Sequence, residues 1–375
     1  MSADLLPRFG AINAALHGAV LSLAVLPLFV GVPVGPNIVA TAAATVFVGC
    51  WRSVKPEPPA ESMTRKDAAK FPLVGSAVLF SLFLAFKFLP KDLVNTVLSV
   101  YFVLLGLLAL TATLEPLLAP LAPEPATRSH RWLRVRPLPY VLQDGLDVDF
   151  SFLELGLAAL SALFCVYYWT SRHWLASNAL GIAFSVQGIE HLSLGSTSIG
   201  VLLLCGLFFY DVFWVFFTPV MVSVARSFDA PIKLLFPRAG ELDAEGRPRF
   251  SMLGLGDIVI PGVFVALVLR YDAAHGGRPR FFLAAAAGYV AGLAATILAM
   301  NLFEAAQPAL LYLVPAILTA TFGTAFVAGE ARALFTWHEQ ESRAAEEAEG
   351  EQQEDGNKPT EEADADARAP KNKDD

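Results

Sequence analysis

Two aspartates stand in stretches of sequence where a carboxylate is hardest to keep. Asp211 is enclosed by Phe208, Phe209, Tyr210, Val212, Phe213 and Trp214, with no base within ten residues on either side. Asp257 closes the run Gly254-Leu255-Gly256-Asp257 at the start of a second apolar stretch, 253–269, again without a base. An ionisable side chain inside such a segment is costly and marks a functional site by default. Two carboxylates without local cations on successive apolar segments suggest one arrangement, in which they face each other across a helix–helix contact. Gly254 and Gly256 favour it, because small residues let helix backbones approach closely, and Gly262 after Pro261 loosens the same helix. Carboxylates this close cannot both ionise easily, so they share a proton and titrate as a pair. One then activates water as a base while its protonated partner polarises a carbonyl, which is the chemistry of aspartic proteases. The same pair could instead bind cations or relay protons in an ion or solute transporter, or each aspartate could only hydrogen-bond a neighbouring backbone.

The composition says what must position them. Of 375 residues, 55% are hydrophobic and only 17% charged, against about 25% charged in ordinary soluble domains; the mean hydropathy is +0.53. A disordered chain, a disulfide scaffold and a large water-soluble globule are excluded. Residues 338–375 carry 14 acidic and 5 basic side chains, while the whole chain has a net charge of −8, so residues 1–337 are close to neutral. No basic surface for nucleic acid exists. A helix needs about 20 apolar residues to cross the hydrocarbon core. Nine segments qualify, namely 36–51, 71–89, 93–114, 150–169, 174–192, 197–220, 253–269, 281–303 and 308–328. The expected fold is all-α: a polytopic membrane protein of nine spans, or ten if 11–34 also crosses. That last stretch is broken by Pro27 and Pro33 and reads as an extra span, a hairpin with the next segment, or a secretory signal. Only Arg8 precedes it as a base, and Gly31-Val32-Pro33-Val34 is a poor cleavage site, so it is expected to stay in the mature chain. The organisation is then an N-terminal hydrophobic segment (1–35), a transmembrane scaffold (36–192), a region holding both aspartates (193–337), and an acidic, disordered tail (338–375).

A resemblance adds to this reading. Tyr210-Asp211 and Gly254-Leu255-Gly256-Asp257 match the YD and GxGD motifs of the intramembrane aspartyl proteases, the presenilin and signal peptide peptidase superfamily, and Gln307-Pro308-Ala309-Leu310 matches their PAL motif. Each motif is short and common alone. All three in order on late apolar segments form a specific signal. The longer stretches 209–216, 252–262 and 307–316 resemble the signal peptide peptidase branch, and the likeness runs from about residue 36 to 328. A glycosylation sequon that some relatives carry near the N-terminus is absent. The resemblance implies a presenilin-like nine-span fold with Asp211 and Asp257 as the catalytic pair on the sixth and seventh spans. It implies support from Tyr210, Gly254, Leu255, Gly256, Gln307, Pro308, Ala309 and Leu310, and no cofactor or metal. Substrates would be remnant signal peptides and type II membrane segments within the lipid bilayer. Pro308 lacks an N–H and Pro315 follows seven residues on, which is expected to leave carbonyls free at a rim for an unwound substrate strand. Leu310 is expected to pack against the pair.

Other polar residues have blander readings. Gln187, Glu190 and His191 suit a polar seam between helices, Glu154 an interfacial position, and Lys87 a snorkelling one near Lys91. Asn301 and Glu304 either shape substrate entry or cap a solvated helix end, and Tyr210 either hydrogen-bonds near Asp211 or packs. The aromatic run 208–217 faces lipid and core. Cys50, Cys165 and Cys205 lie singly in apolar runs and read as buried free thiols. No HExxH, and no GxSxG in a span, supports another protease class. If 36–51 exits into the cytosol, cytosolic loops hold twelve Lys and Arg against eight opposite, a modest bias for a cytosolic C-terminus. Lys371 and Lys373 resemble a dilysine retrieval signal, which predicts residence in the endoplasmic reticulum membrane. A homo-oligomer is left open by the sequence.

Overall fold

The computed structural model describes residues 6–55, 62–135, 146–228, 230–242, 246, 248–276, 278–303 and 305–339. Helix α1 (Leu6–Val25) ends in a 3-10 turn at Pro27 and folds back on α2 (Val34–Ser53). There Val20 is buried with Val48 and with Val186 of a later helix, so 11–34 forms a helical hairpin with the segment that follows. Helices α3 (Arg65–Phe88) and α4 (Lys91–Leu118) come next, then a short α5 (Glu124–Thr127). The scaffold closes with α6 (Phe152–Ser171) and α7 (Trp174–His191). The catalytic half of the expected organisation holds α8 (Thr197–Phe216), α9 (Val220–Ser227), α10 (Gly256–Ala274), α11 (Arg280–Phe303), α12 (Leu310–Val327) and α13 (Ala331–Thr336).

The chain is an all-α polytopic membrane protein, and each of the nine expected segments is a helix. Seven of them are long and apolar enough to cross a membrane. The other two, α7 and α10, fall short for different reasons. Helix α7 carries Asn178, Gln187, Glu190 and His191, and α10 carries three charges, Asp257, Arg270 and Asp272. Helix α10 is also wrapped by protein, with Val263 to Val268 all at most 2% exposed.

Side-chain caps fix where two of these helices start, α3 beginning six residues before the expected segment 71–89. Thr64 and Asp67 form a capping box for α3, and Ser151 and Glu154 one for α6, so Glu154 sits at a helix end as expected. The expected polar seam is also present. Glu190 accepts from Arg52 Nε at 2.6 Å and pairs with Lys55 at 2.9 Å, while Gln187 donates to Thr113 Oγ1. The other guanidinium nitrogens of Arg52 donate to the carbonyls of Ala112 and Thr113 in α4, the first of which has no helical N–H partner because Pro116 stands four residues on.

Three expectations need correction. The stretches 115–149 and 225–252, expected only as loops between spans, hold most of two antiparallel hairpins, β1 (Ser129–Val135) with β2 (Leu146–Ser151), and β3 (Lys233–Leu242) with β4 (Pro248–Gly254). In β3, Leu234 and Phe236 are buried between less buried neighbours, the period-two signature of a strand. Of the thiols, Cys50 and Cys165 are buried but Cys205 only half so. The acidic tail does not begin at 338. Glu339 is 1% exposed and pairs with Arg270 of α10 at 3.0 Å, because a buried guanidinium requires a partner. His338 bridges Ser196, and Thr197 donates its N–H to the Trp337 carbonyl. The remainder of the expected tail, 340–375 with Lys371 and Lys373, lies outside the described residues, as does Glu304.

Candidate active site

Helix α8 is held in place by α3. Gly206 is flush with Pro72, since a Cβ there would lie 2.9 Å from the proline ring, and the Tyr210 ring lies over Gly75. Trp214 Nε1 donates to Ser76 Oγ at 2.9 Å, and that hydroxyl donates to the Pro72 carbonyl. A proline in α3 leaves a carbonyl without its helical N–H, and the small residues around it accept the aromatic face of α8. With Tyr210 turned to α3, the next residue, Asp211, points into the protein and is 4% exposed.

Asp257 reaches the site from the opposite direction. Strand β4 ends at Gly254, the Leu255 N–H donates to the Ile232 carbonyl at 3.0 Å, and α10 begins at Gly256. Leu255 is anchored sideways against Gly181 of α7. The hairpin thus delivers Asp257 to the first turn of its helix, on the side facing α8 and within electrostatic reach of Asp211. Pro261, four residues on, cannot donate to the Asp257 carbonyl, so that backbone acceptor is also without its helical partner. The two glycines of the motif differ. A Cβ at Gly254 would stand 3.4 Å from Asp257 Oδ2, whereas one at Gly256 would meet nothing within 4 Å.

The third motif arrives with α12. Leu310 donates its backbone N–H to Asp211 Oδ2 at 3.0 Å. This corrects the expectation of free carbonyls at the Pro308 end. A helix N-terminus presents unpaired N–H groups, not carbonyls, and α12 starts at Leu310. The Ala309 carbonyl is taken up by the N–H of Leu313 and by Thr296 Oγ1. The Leu310 side chain, 5% exposed, does pack into the core as expected.

Asp257 opens onto a cavity of about 480 Å³ whose walls include Ser251, Met252 and Leu253 of β4, Thr296 of α11, and Gln307 and Ala309. Asn301 also lines this cavity and is exposed. Gln307 Oε1 accepts from Tyr312, while Pro308 is buried. The structure therefore gathers Asp211, Asp257, Gly254, Gln307, Ala309 and Leu310 around one locus. Tyr210 and Leu255 stand behind it, as packing contacts to α3 and α7. Missed from sequence were the β4 wall and Thr296. Neither carried a sequence signal: 233–237 reads Lys-Leu-Leu-Phe-Pro with no alternation, and Thr296 is one threonine two turns from the end of an apolar helix. Tyr289 was also missed. It is 1% exposed, its hydroxyl has no hydrogen-bond partner among the described residues, and it lies within electrostatic reach of Asp257.

Known proteins share this pattern over most of the chain. The sequence profile described as signal peptide peptidase matches residues 55–341. The chain is 40% identical to the signal peptide peptidases of Homo sapiens and of Mus musculus over 330 residues, which is 87% of this chain and 84% of each relative. It is 31% identical to a probable intramembrane protease of Schizosaccharomyces pombe over 81% of this chain and 94% of that protein. The matched span runs from just after α2 through α13 and takes in both aspartates and the turn that donates to one of them; this chain belongs to the signal peptide peptidase family.

Proposed function

We propose that this intramembrane protease is an aspartyl protease, with Asp211 and Asp257 as its catalytic pair. Its substrates are chiefly remnant signal peptides and type II membrane segments, cut within the bilayer. The observation that carries the reading is the hydrogen bond from Leu310 N–H to Asp211 opposite Asp257, which brings three separate motifs to one place. The pair holds one proton. The unprotonated carboxylate takes a proton from water as its oxygen attacks the carbonyl carbon, and the protonated carboxyl gives its proton to the carbonyl oxygen. Collapse of the resulting diol breaks the C–N bond: the leaving nitrogen receives the proton that water gave up, and a diol hydroxyl returns a proton to the other carboxylate, which restores the singly protonated pair. Leu310 N–H fixes the orientation of Asp211 through both steps.

A helical peptide bond is hidden from water, so the substrate must be extended where it is cut. Strand β4 supports this, because it forms a wall of the cavity and an open strand edge can accept an extended peptide. Residence in the endoplasmic reticulum membrane with a cytosolic C-terminus accords with these substrates and with the Lys and Arg bias.

Purified full-length chain in liposomes, given a synthetic signal peptide, is expected to yield two fragments cut inside the apolar segment. The rate should be bell-shaped in pH, since catalysis needs the singly protonated pair and is lost when both carboxyls are protonated or both ionised. Cation flux with no cleavage would instead favour transport, and a rate that rises monotonically with pH would contradict proton sharing.

A further inference from the structure

The antiparallel ladder of β3 and β4 has a fixed phase. The bond from Leu255 N–H to the Ile232 carbonyl makes that pair a hydrogen-bonded one. Alternation along the register then makes Leu234 with Leu253 and Phe236 with Ser251 hydrogen-bonded pairs, while Lys233 with Gly254, Leu235 with Met252 and Pro237 with Phe250 turn their backbone groups outward. Pro237, which has no N–H to place, falls in an outward position as it should. On the β4 side, Met252 and Gly254 turn outward; Met252 lines the Asp257 cavity and Gly254 is the glycine closest to that carboxylate. On the β3 side, the outward groups of Leu235 are already occupied. Asn178 of α7 accepts from the Leu235 N–H through Oδ1 at 2.7 Å and donates from Nδ2 to the Leu235 carbonyl at 2.8 Å.

A carboxamide offers the same donor and acceptor as a peptide unit, so Asn178 behaves as a one-residue strand added to the outer edge of β3. It is 2% exposed and both ends of its carboxamide are used. Three residues along the same face of α7, Gly181 is flush with the hairpin, since a Cβ there would stand 2.9 Å from Leu234 Cδ2 and 3.3 Å from Leu255 Cδ2. Helix α7 thus grips the hairpin at two adjacent points.

We infer that Asn178 is a positioning residue for proteolysis: by closing the β3 edge and pinning β3 against sliding, it leaves β4 as the single edge for an extended substrate and sets the substrate's register relative to Asp257. This rests on the catalytic pair proposed above. A strand that slips by one residue turns every outward group inward, so the pin decides which peptide bond stands over the carboxylates.

The test compares full-length wild type, Asn178→Asp and Asn178→Leu in liposomes on one transmembrane substrate, with the cut position read by mass spectrometry. Asp keeps the shape but cannot donate to the Leu235 carbonyl; Leu removes both bonds. Both variants are expected to remain folded, to lose up to roughly a hundredfold in kcat, as misplacement by an ångström can, and to spread cleavage over neighbouring bonds. A purely structural role would change yield and thermal stability without moving the cut. A single cut at the wild-type bond in both variants, or failure of both to give folded protein, would overturn the inference. Asp257→Asn run in parallel separates the two readings, because cleavage by that variant would remove the catalytic pair itself.

Discussion

Asp211→Asn, Asp257→Asn and the double variant are expected to show the same negligible cleavage, at least roughly 10⁴-fold below wild type, because members of one catalytic unit are strongly non-additive. Asparagine keeps the shape of the side chain and can still accept from Leu310 N–H at position 211. It cannot take or give a proton at these steps. The structure supports equal losses from unequal surroundings: Asp211 is buried and bonded to α12, while Asp257 is half-buried at a cavity, yet each is within the other's field. Single-turnover cleavage by the three variants checks this. A double variant far worse than either single one would mean that the two groups act independently.

The second large effect lies away from the carboxylates. Helices α11 and α12 touch backbone to backbone at Gly288 and Gly292, the spacing that lets membrane helices pack closely. A Cβ at Gly288 would lie 2.6 Å from the Ala316 carbonyl oxygen and 2.9 Å from Ile317 Cα. At Gly292 it would lie 2.8 Å from Leu313 Cα and 3.0 Å from the Tyr312 carbonyl oxygen. Backbone cannot give way as a flexible side chain can, so α12 must move, and Leu310 moves with it off Asp211. Gly288→Ala and Gly292→Ala are each expected to cost about 1–3 kcal/mol of stability as overpacking and roughly a hundredfold in kcat as misplacement. Gly323→Ala is the control on the same helix pair, since a Cβ there meets nothing within 4 Å. Thermal denaturation and cleavage rates of the three variants decide the matter, and a fully active Gly292→Ala would show that the contact does not hold the site.

The helices and the aspartates were legible because the bilayer imposes a simple grammar. Long apolar runs must become helices, and an unpaired carboxylate within one must have a use. Both signals are local, and both led to the right elements. Helices α7 and α10 carry polar or charged side chains that hydropathy penalises, and burial inside the bundle accommodates most of them. The hairpin beside Asp257 was hidden because β3 has no polar–apolar alternation in sequence and is satisfied partly by α7. No single segment announces a strand whose edge partner is one asparagine in another helix. The Pro308 end was misread for a different reason. The motif drew attention to the missing proline N–H, whereas direction along the helix decides that the next residue offers a donor. Glu339 was read as solvated tail because its neighbours in sequence are acidic, yet its partner Arg270 is 69 residues away.

The most direct test of the shared-proton pair is binding of a peptide mimic in which a hydroxyl replaces the hydrated scissile carbonyl. Such a group hydrogen-bonds to both carboxyls at once, as the diol formed during hydrolysis does. Titrated against wild type, Asp211→Asn and Asp257→Asn in the same liposomes, it should bind wild type at least roughly a hundredfold more tightly than either variant, as transition-state mimics bind relative to substrates. Binding unchanged by one of the two substitutions would contradict the pair.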